Sequence, residues 1–280
     1  MAGRGKHLDE ARTLYARMMA AASGSSDPRL ERVFELVPRE AFLPPGPWHM
    51  VVEHRLVETP SADPAHLYQN ALVVLDRQKG INNGEPFLHA MWIGAVAPQP
   101  GETVTHIGAG AGYYSAILSM LVLPDGKVFA YEIDAALAET ARHNLAPFEN
   151  VAVIRENAVD AKLPASDIVY VNAGAVGPPA AWLSALKPGG RLIFPWRPRE
   201  DIGLALIVRP QGNDFSVRIL GGAWFIPCFG ASNDAVTIRR PGRGETRRVR
   251  SIMLNSTRPP DASALAIYPD VWFSSDPPAD

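Results

Sequence analysis

A β-branched run, TVTHI at 103–107, passes straight into glycines 108, 110 and 112 and then into an apolar stretch, YYSAILSML, that suits a helix. No other feature of the chain constrains its fold as much. Glycine allows positive φ and lets backbone approach a ligand closely. A helix begun directly after such a turn presents unpaired N–H groups beyond the strand end. The spacing is G-x-G-x-G, whereas the dinucleotide fingerprint G-x-G-x-x-G has its third glycine one residue later. Tyr113 holds that later place. The tighter turn suits a ligand without a pyrophosphate and disfavours a nicotinamide dehydrogenase. An acid, Glu132, lies at the end of the next extended run, KVFAYEI (127–133). There a carboxylate can accept bonds from both hydroxyls of a ribose.

The alternation continues. Helices are expected over 112–122, 135–145 and 179–186, with strands at 151–154, 167–173 and 191–195 between and after them. Strands alternating with helices predict a parallel sheet. LALIVR (204–209) and FSVRIL (215–220), split by PQGND, read as an antiparallel edge hairpin. The expected class is therefore α/β, a Rossmann-like, doubly wound, mostly parallel sheet with an antiparallel edge hairpin, a helical N-terminal part and a C-terminal extension. Upstream, helices are predicted over 8–22 and 28–36, the second capped by Asp27, and over 86–97, opened by Pro86. The 26 prolines in 280 residues exclude a mostly helical bundle and make VPREAFLPPGPW (37–48) a loop. The expected organisation is 1–85 as an N-terminal part, 86–221 as the cofactor-binding domain and 222–280 as an extension.

A formal net charge of -2 gives no global attraction to nucleic acid or an anionic membrane. The single cysteine, Cys228, rules out an intrachain disulfide and a Cys-rich zinc site, and no metal is expected. No apolar stretch reaches the ~18 residues of a membrane span, and the N-terminal residues show no secretory pattern. The expectation is a soluble cytoplasmic protein.

Taken in order, VTHIGAGAGYYSAILSML, GKVFAYEIDAALAETARHNL, NVAVIRENA, SDIVYVNAGA and LKPGGRLIFP resemble the core of S-adenosylmethionine-dependent methyltransferases. With VPREAF (37–42) and EPFLHA (85–90), the chain most resembles the protein-L-isoaspartate O-methyltransferase family over about residues 28–196. The resemblance implies S-adenosyl-L-methionine as cofactor. It implies Gly108, Ala109 and Gly110 along the methionine moiety, Glu132 on the ribose and Asn157 near the adenine, where the family usually has an aspartate. Gly112, Ile133 and Ala158 count as further cofactor-binding positions.

The sequence departs from the family at INNGEP (81–86): Gly84 stands at a serine position and Glu85 replaces a neutral residue. A carboxylate there would repel an isoaspartyl carboxylate, which favours a neutral or cationic acceptor or a changed geometry. The other reading of Glu85 is a loop acid favoured by the helix dipole. A hydroxyl or amine acceptor needs help losing its proton, and Glu85 and His89 are the candidates for that help; packing beside Trp92 is the other reading of His89. His106 replaces an acid and reads as a satisfied sheet histidine. Asn172 is followed by Ala-Gly-Ala rather than the Pro-Pro-aromatic run of base N-methyltransferases. The acceptor stays open between a protein or peptide and a small molecule, and a non-catalytic module sensing the cofactor or its demethylated product is the alternative. Six arginines in RRPGRGETRRVR (239–250) read as a hairpin with a solvated basic face in preference to a nucleic-acid patch. Trp224, Phe225 and Phe229 are expected to pack around Cys228 as a small core.

Overall fold

The structure, a computed structural model, describes residues 2–52 and 55–279. In chain order its elements are helices α1 (Ala2–Ala22) and α2 (Arg29–Leu36), then strands β1 (His49–Val52), β2 (Arg55–Glu58), β3 (Leu72–Asp76) and β4 (Ile81–Asn82). Next come α3 (Pro86–Val96), β5 (Thr103–Ile107), α4 (Tyr113–Leu121), β6 (Lys127–Tyr131), α5 (Ala135–Leu145), β7 (Val151–Ile154), β8 (Ser166–Val171) and α6 (Ala180–Ser184). The chain closes with β9 (Leu186–Arg199), β10 (Ile202–Gln211), β11 (Asp214–Gly222), β12 (Ser251–Leu254), β13 (Ala264–Ile267) and β14 (Val271–Ser274). Two compact units result. The first holds residues up to Glu102 with Ala109–Ala130 and Asp134–Ile154; the second holds Thr103–Gly108, Tyr131–Ile133 and everything from Arg155 on.

In the first unit, capping follows local chemistry. Asp27 accepts the Arg29 N–H at 2.9 Å, and Asp134 accepts from Ala136 and Leu137 at 2.9 and 3.0 Å, satisfying donors that a helix start leaves unpaired. A small antiparallel sheet has the order β2-β1-β3-β4. Within VPREAF, Arg39 is fully buried and donates to the carbonyls of Leu67, Gln69 and Ala71. Those three bonds offset much of the penalty of burying a guanidinium, although its Nε has no partner among the described residues. This one fixes the 67–71 loop, and with it Asn70. The prolines leave room for a 3-10 turn over Arg39–Phe42 inside the expected loop. The Val128 N–H, on β6, donates to the Asn150 carbonyl just ahead of β7 at 2.9 Å.

In the second unit β5 and β8 pair in parallel (Val104↔Ile168 to Ile107↔Val171), as do β8 and β9. From β9 the sheet turns antiparallel through β10, β11, β12, β14 and β13. Ile168 to Val171 are fully buried, as expected of a strand covered on both faces. The α/β, Rossmann-like class holds. The antiparallel part is larger than an edge hairpin, because residues 251–274 extend it. Trp196 stacks on Phe273 at 4.7 Å and so ties β9 to β14.

Two expectations for the extension are corrected. Residues 239–250 are not a hairpin: Arg239 pairs with distant Ile267, and Thr246–Arg248 form a 3-10 turn. Trp224 and Phe229 are not a core either, being 63% and 72% exposed. The reason is backbone pairing. Gly174 donates to Ile226, Cys228 to Gly174 and Val176 to Ala231, at 2.8, 2.8 and 2.9 Å. That arrangement buries Cys228, whose thiol burial pushes up to about 11, and turns the aromatic rings outward.

Candidate active site

β5 ends at the glycine turn. Gly108, Gly110 and Gly112 have φ of 75°, 57° and 98°, the left-handed region that only glycine enters without strain. A Cβ on Gly110 would meet no atom within 4 Å, so open space borders the turn there. A Cβ on Gly112 would come 2.7 Å from Leu145 Cδ1, so glycine also admits α5 close to the turn. Gly112 is the N-cap of α4, and Ala109 and Ala111 beside it are buried.

In the second unit the Gly108 N–H donates to the Tyr131 carbonyl at 2.9 Å, which sets the turn beside the residue preceding Glu132. Glu132 is buried, while its neighbour Ile133 is exposed. The side chain of Asn157 is engaged in its own turn, donating to Asp160 Oδ2 at 2.8 Å and accepting the Val159 N–H at 3.2 Å. The Ala158 carbonyl accepts the Trp182 indole N–H at 3.0 Å. Gly230, from the extension, lies so close that its Cβ would sit 3.3 Å from Asn157 Nδ2. His106 is fully buried in β5, and burial pushes it down to about 3, so its ring is neutral. Its Nε2 is 2.8 Å from Asn172 Nδ2, which leaves Asn172 Oδ1 buried with no donor among the described residues.

In the first unit Glu85 is the exposed N-cap residue of α3 but makes no cap bond. Its Oε1 instead accepts from Asn70 Nδ2 at 2.8 Å, while Asn70 Oδ1 accepts the Phe87 N–H at 2.8 Å, so Asn70 takes over the capping. His89 is buried and stacked face to face on Tyr114, ring centroids 3.6 Å apart. That contact brings His89 to the first turn of α4, directly after the glycines. Gly84 has φ 76°, and a Cβ there would be 2.4 Å from His89 Nε2. The imidazole occupies the space a side chain at 84 would need.

This arrangement of strand, glycine turn, buried acid and preceding helix can be compared with known proteins. The family model for protein-L-isoaspartate(D-aspartate) O-methyltransferase matches residues 21–233. The chain belongs to that family. A protein-L-isoaspartate O-methyltransferase of Methylorubrum extorquens is 30% identical over 221 residues, covering 78% of this chain and 88% of the relative. One from Rhodopseudomonas palustris is 32% identical over 216 residues, covering 75% and 89%. Among solved structures, a protein-L-isoaspartate O-methyltransferase shares the fold with TM-score 0.67 and 23% identity, over 80% of this chain and 66% of that one. Another, from Plasmodium falciparum in complex with S-adenosyl-L-homocysteine, has TM-score 0.61 and 16% identity over 78% and 97%.

The protein is thus an S-adenosylmethionine-dependent methyltransferase of this family, and the non-catalytic sensor alternative finds no support in the comparisons. Among the described residues no helix is long and apolar enough to cross a membrane, and no cluster of three metal-ligating side chains occurs. Sequence reasoning missed Asn70 and Tyr114 as supports of Glu85 and His89. Neither carries a local signal, since both act across turns of chain that only the fold brings together.

Proposed function

We propose that this methyltransferase esterifies a carboxylate of a polypeptide, the free carboxylate of the isoaspartyl residue named by its family. The observation that carries this is the state of the two expected bases. The ring of His89 lies buried against Tyr114, and Glu85 is exposed and hydrogen-bonded to Asn70. In this reading His89 packs, Glu85 is a solvated loop acid, and neither serves as a base. A carboxylate acceptor requires no base, because it is ionised at neutral pH. Solvent also screens the Glu85 charge, which weakens its repulsion of an incoming carboxylate.

The residues fit the cofactor. Glu132 would accept the ribose hydroxyls, and Ile133 and Ala158 would flank the base. The Asn157 turn would contribute its backbone, since its amide is committed to Asp160. Gly108, Ala109 and Gly110 would give the methionine moiety room, with Gly112 starting the helix behind them. Asn172 Oδ1, buried without a donor, would accept an N–H from a bound ligand. When bound, S-adenosylmethionine supplies a methyl group on a positively charged sulfur. Its transfer to an acceptor carboxylate would release a neutral thioether, and the negative charge of the acceptor would cancel the positive one. The chain's work is to align the acceptor and exclude water.

The test offers labelled-methyl cofactor with an isoaspartyl peptide, its aspartyl isomer and a lysine peptide. Base-labile methyl ester is expected on the isoaspartyl peptide alone. Glu85→Gln is expected to keep activity within about threefold from pH 6 to 9, a change under the ~1 kcal/mol typical of an exposed polar contact. Cofactor binding without ester on any peptide would overturn the reading, and a bell-shaped profile that loses its acid limb in Glu85→Gln would restore Glu85 as a base.

A further inference from the structure

The family match ends at residue 233, yet the chain continues into the densest concentration of positive charge it has. In the second unit a cleft of about 620 Å³ opens at the outer edge of β11, with Arg218, Arg247, Arg248 and Arg250 in its lining. Asp276 is the one carboxylate there. Four other arginines of this unit are paired: Arg199 and Arg243 with Asp201, Arg239 with Glu245 and Arg258 with Asp214. The four in the cleft form no ion pair among the described residues, and all four are exposed. Guanidinium groups gathered without counter-charges repel one another, and a planar fork of donors suits carboxylates.

The backbone beside them is also open. Among the described residues β12 covers β11 only at Phe215 and Ser216, and the last bond on that side runs from the Val217 N–H to the Arg250 carbonyl at 2.8 Å. Ile219, two residues on and on the same edge, lines the cleft instead of pairing with β12. An uncovered strand edge is a template for an extended chain. No aromatic ring lines the cleft to stack a base, which sets nucleic acid aside.

The sheet register relates the cleft to the strand that carries Asn172. Tyr170 on β8 pairs with Ile193, Ile193 with Ile207 and Ile207 with Arg218. Three strand spacings separate Arg218 from Tyr170, about 14 Å. Four or five residues of extended chain span about that distance. We propose that this arginine cleft binds an acidic, extended segment of the polypeptide acceptor, a few residues from the residue that is methylated. This rests on the acceptor being a polypeptide.

The experiment separates the two ideas by measuring binding without chemistry. A fluorescein-labelled peptide alternating glutamate and alanine, with no isoaspartate and no cofactor present, is titrated with the full chain by anisotropy. The same peptide with glutamine for glutamate and a single-stranded oligoribonucleotide are titrated beside it. The acidic peptide is expected to bind at least about tenfold tighter than either, more weakly as salt rises. Arg247→Glu/Arg248→Glu and, separately, Arg218→Ala/Arg250→Ala should each remove most of that advantage, while Arg32→Glu in the first unit should not. Equal binding of the glutamate and glutamine peptides, oligoribonucleotide binding as tight as the acidic peptide, or indifference of the folded variants overturns the proposal. Loss of isoaspartyl methylation with acidic binding intact would instead strike only the acceptor reading.

Discussion

Residues 103–133 and residues 222–279 are built on opposite terms. In the first stretch nearly every conformation is demanded locally: a β-branched strand, glycines whose φ no other residue adopts cheaply, a helix begun at the last of them and an acid at a strand end. In the second, short strands and 3-10 turns owe their places to partners far along the chain, as Arg239 does to Ile267 and Cys228 to Gly174. A segment shaped by its own residues tolerates little change in them, whereas one shaped by remote backbone pairing can vary its side chains. The chain thus keeps the chemistry of its family in one place and is free to add surface in the other.

The contrast is sharpest at Gly112. Gly112→Ala puts a Cβ in the left-handed region and against Leu145, and should cost about 3 kcal/mol in urea unfolding. Gly110→Ala, strained but unobstructed, should cost about 1 kcal/mol. Equal costs would mean that the close approach of α5 does not matter. Next, Glu132→Ala should weaken S-adenosylmethionine binding about 30-fold by calorimetry, the loss of about 2 kcal/mol of charge-assisted bonding; a change below threefold would detach Glu132 from the cofactor.

His106 gives a smaller, pH-dependent effect. Its folded pKa, about 3, lies below the ordinary value of 6.5 because burial disfavours the charged ring. Stability is therefore full above pH 6.5 and is lost as the pH falls toward 3, because the unfolded chain takes up the proton first. About 1 kcal/mol should disappear between pH 7 and 5.5. His106→Gln should flatten that slope, and an unchanged slope would place the titration elsewhere. The smallest effects belong to the extension. Trp224→Ala and Phe229→Ala should each change stability by no more than about 0.5 kcal/mol, since the rings are exposed. A loss several times larger would return them to the core that hydrophobicity alone suggested.

The same division explains what could be read from the sequence. α5 was legible to the residue because Asp134 caps it and its apolar positions recur at helical spacing. β5 and β7 were legible from compact β-branched runs bounded by turn residues. The start of β9 was not: KPGG reads as a turn, but pairing with β8 carries the strand through it with a shift in register. Trp224 and Phe229 misled because apolar composition reports what a residue prefers, while the pairing of 226–231 with 174–176 decides where it goes. At the candidate site, the glycine turn was legible because its positive φ demands glycine. The surroundings of Glu85 and His89 were not, because Asn70 and Tyr114 meet them only through folding.

Position 84 of the first unit limits which single substitutions the chain can accept. With φ of 76° and the imidazole of His89 in the way, position 84 admits no side chain until residue 89 shrinks or moves. Any route to a hydroxyl at 84 must change residue 89 first or pass through a strained intermediate. The two positions act as a ratchet: their present pairing is easy to keep and hard to leave one step at a time.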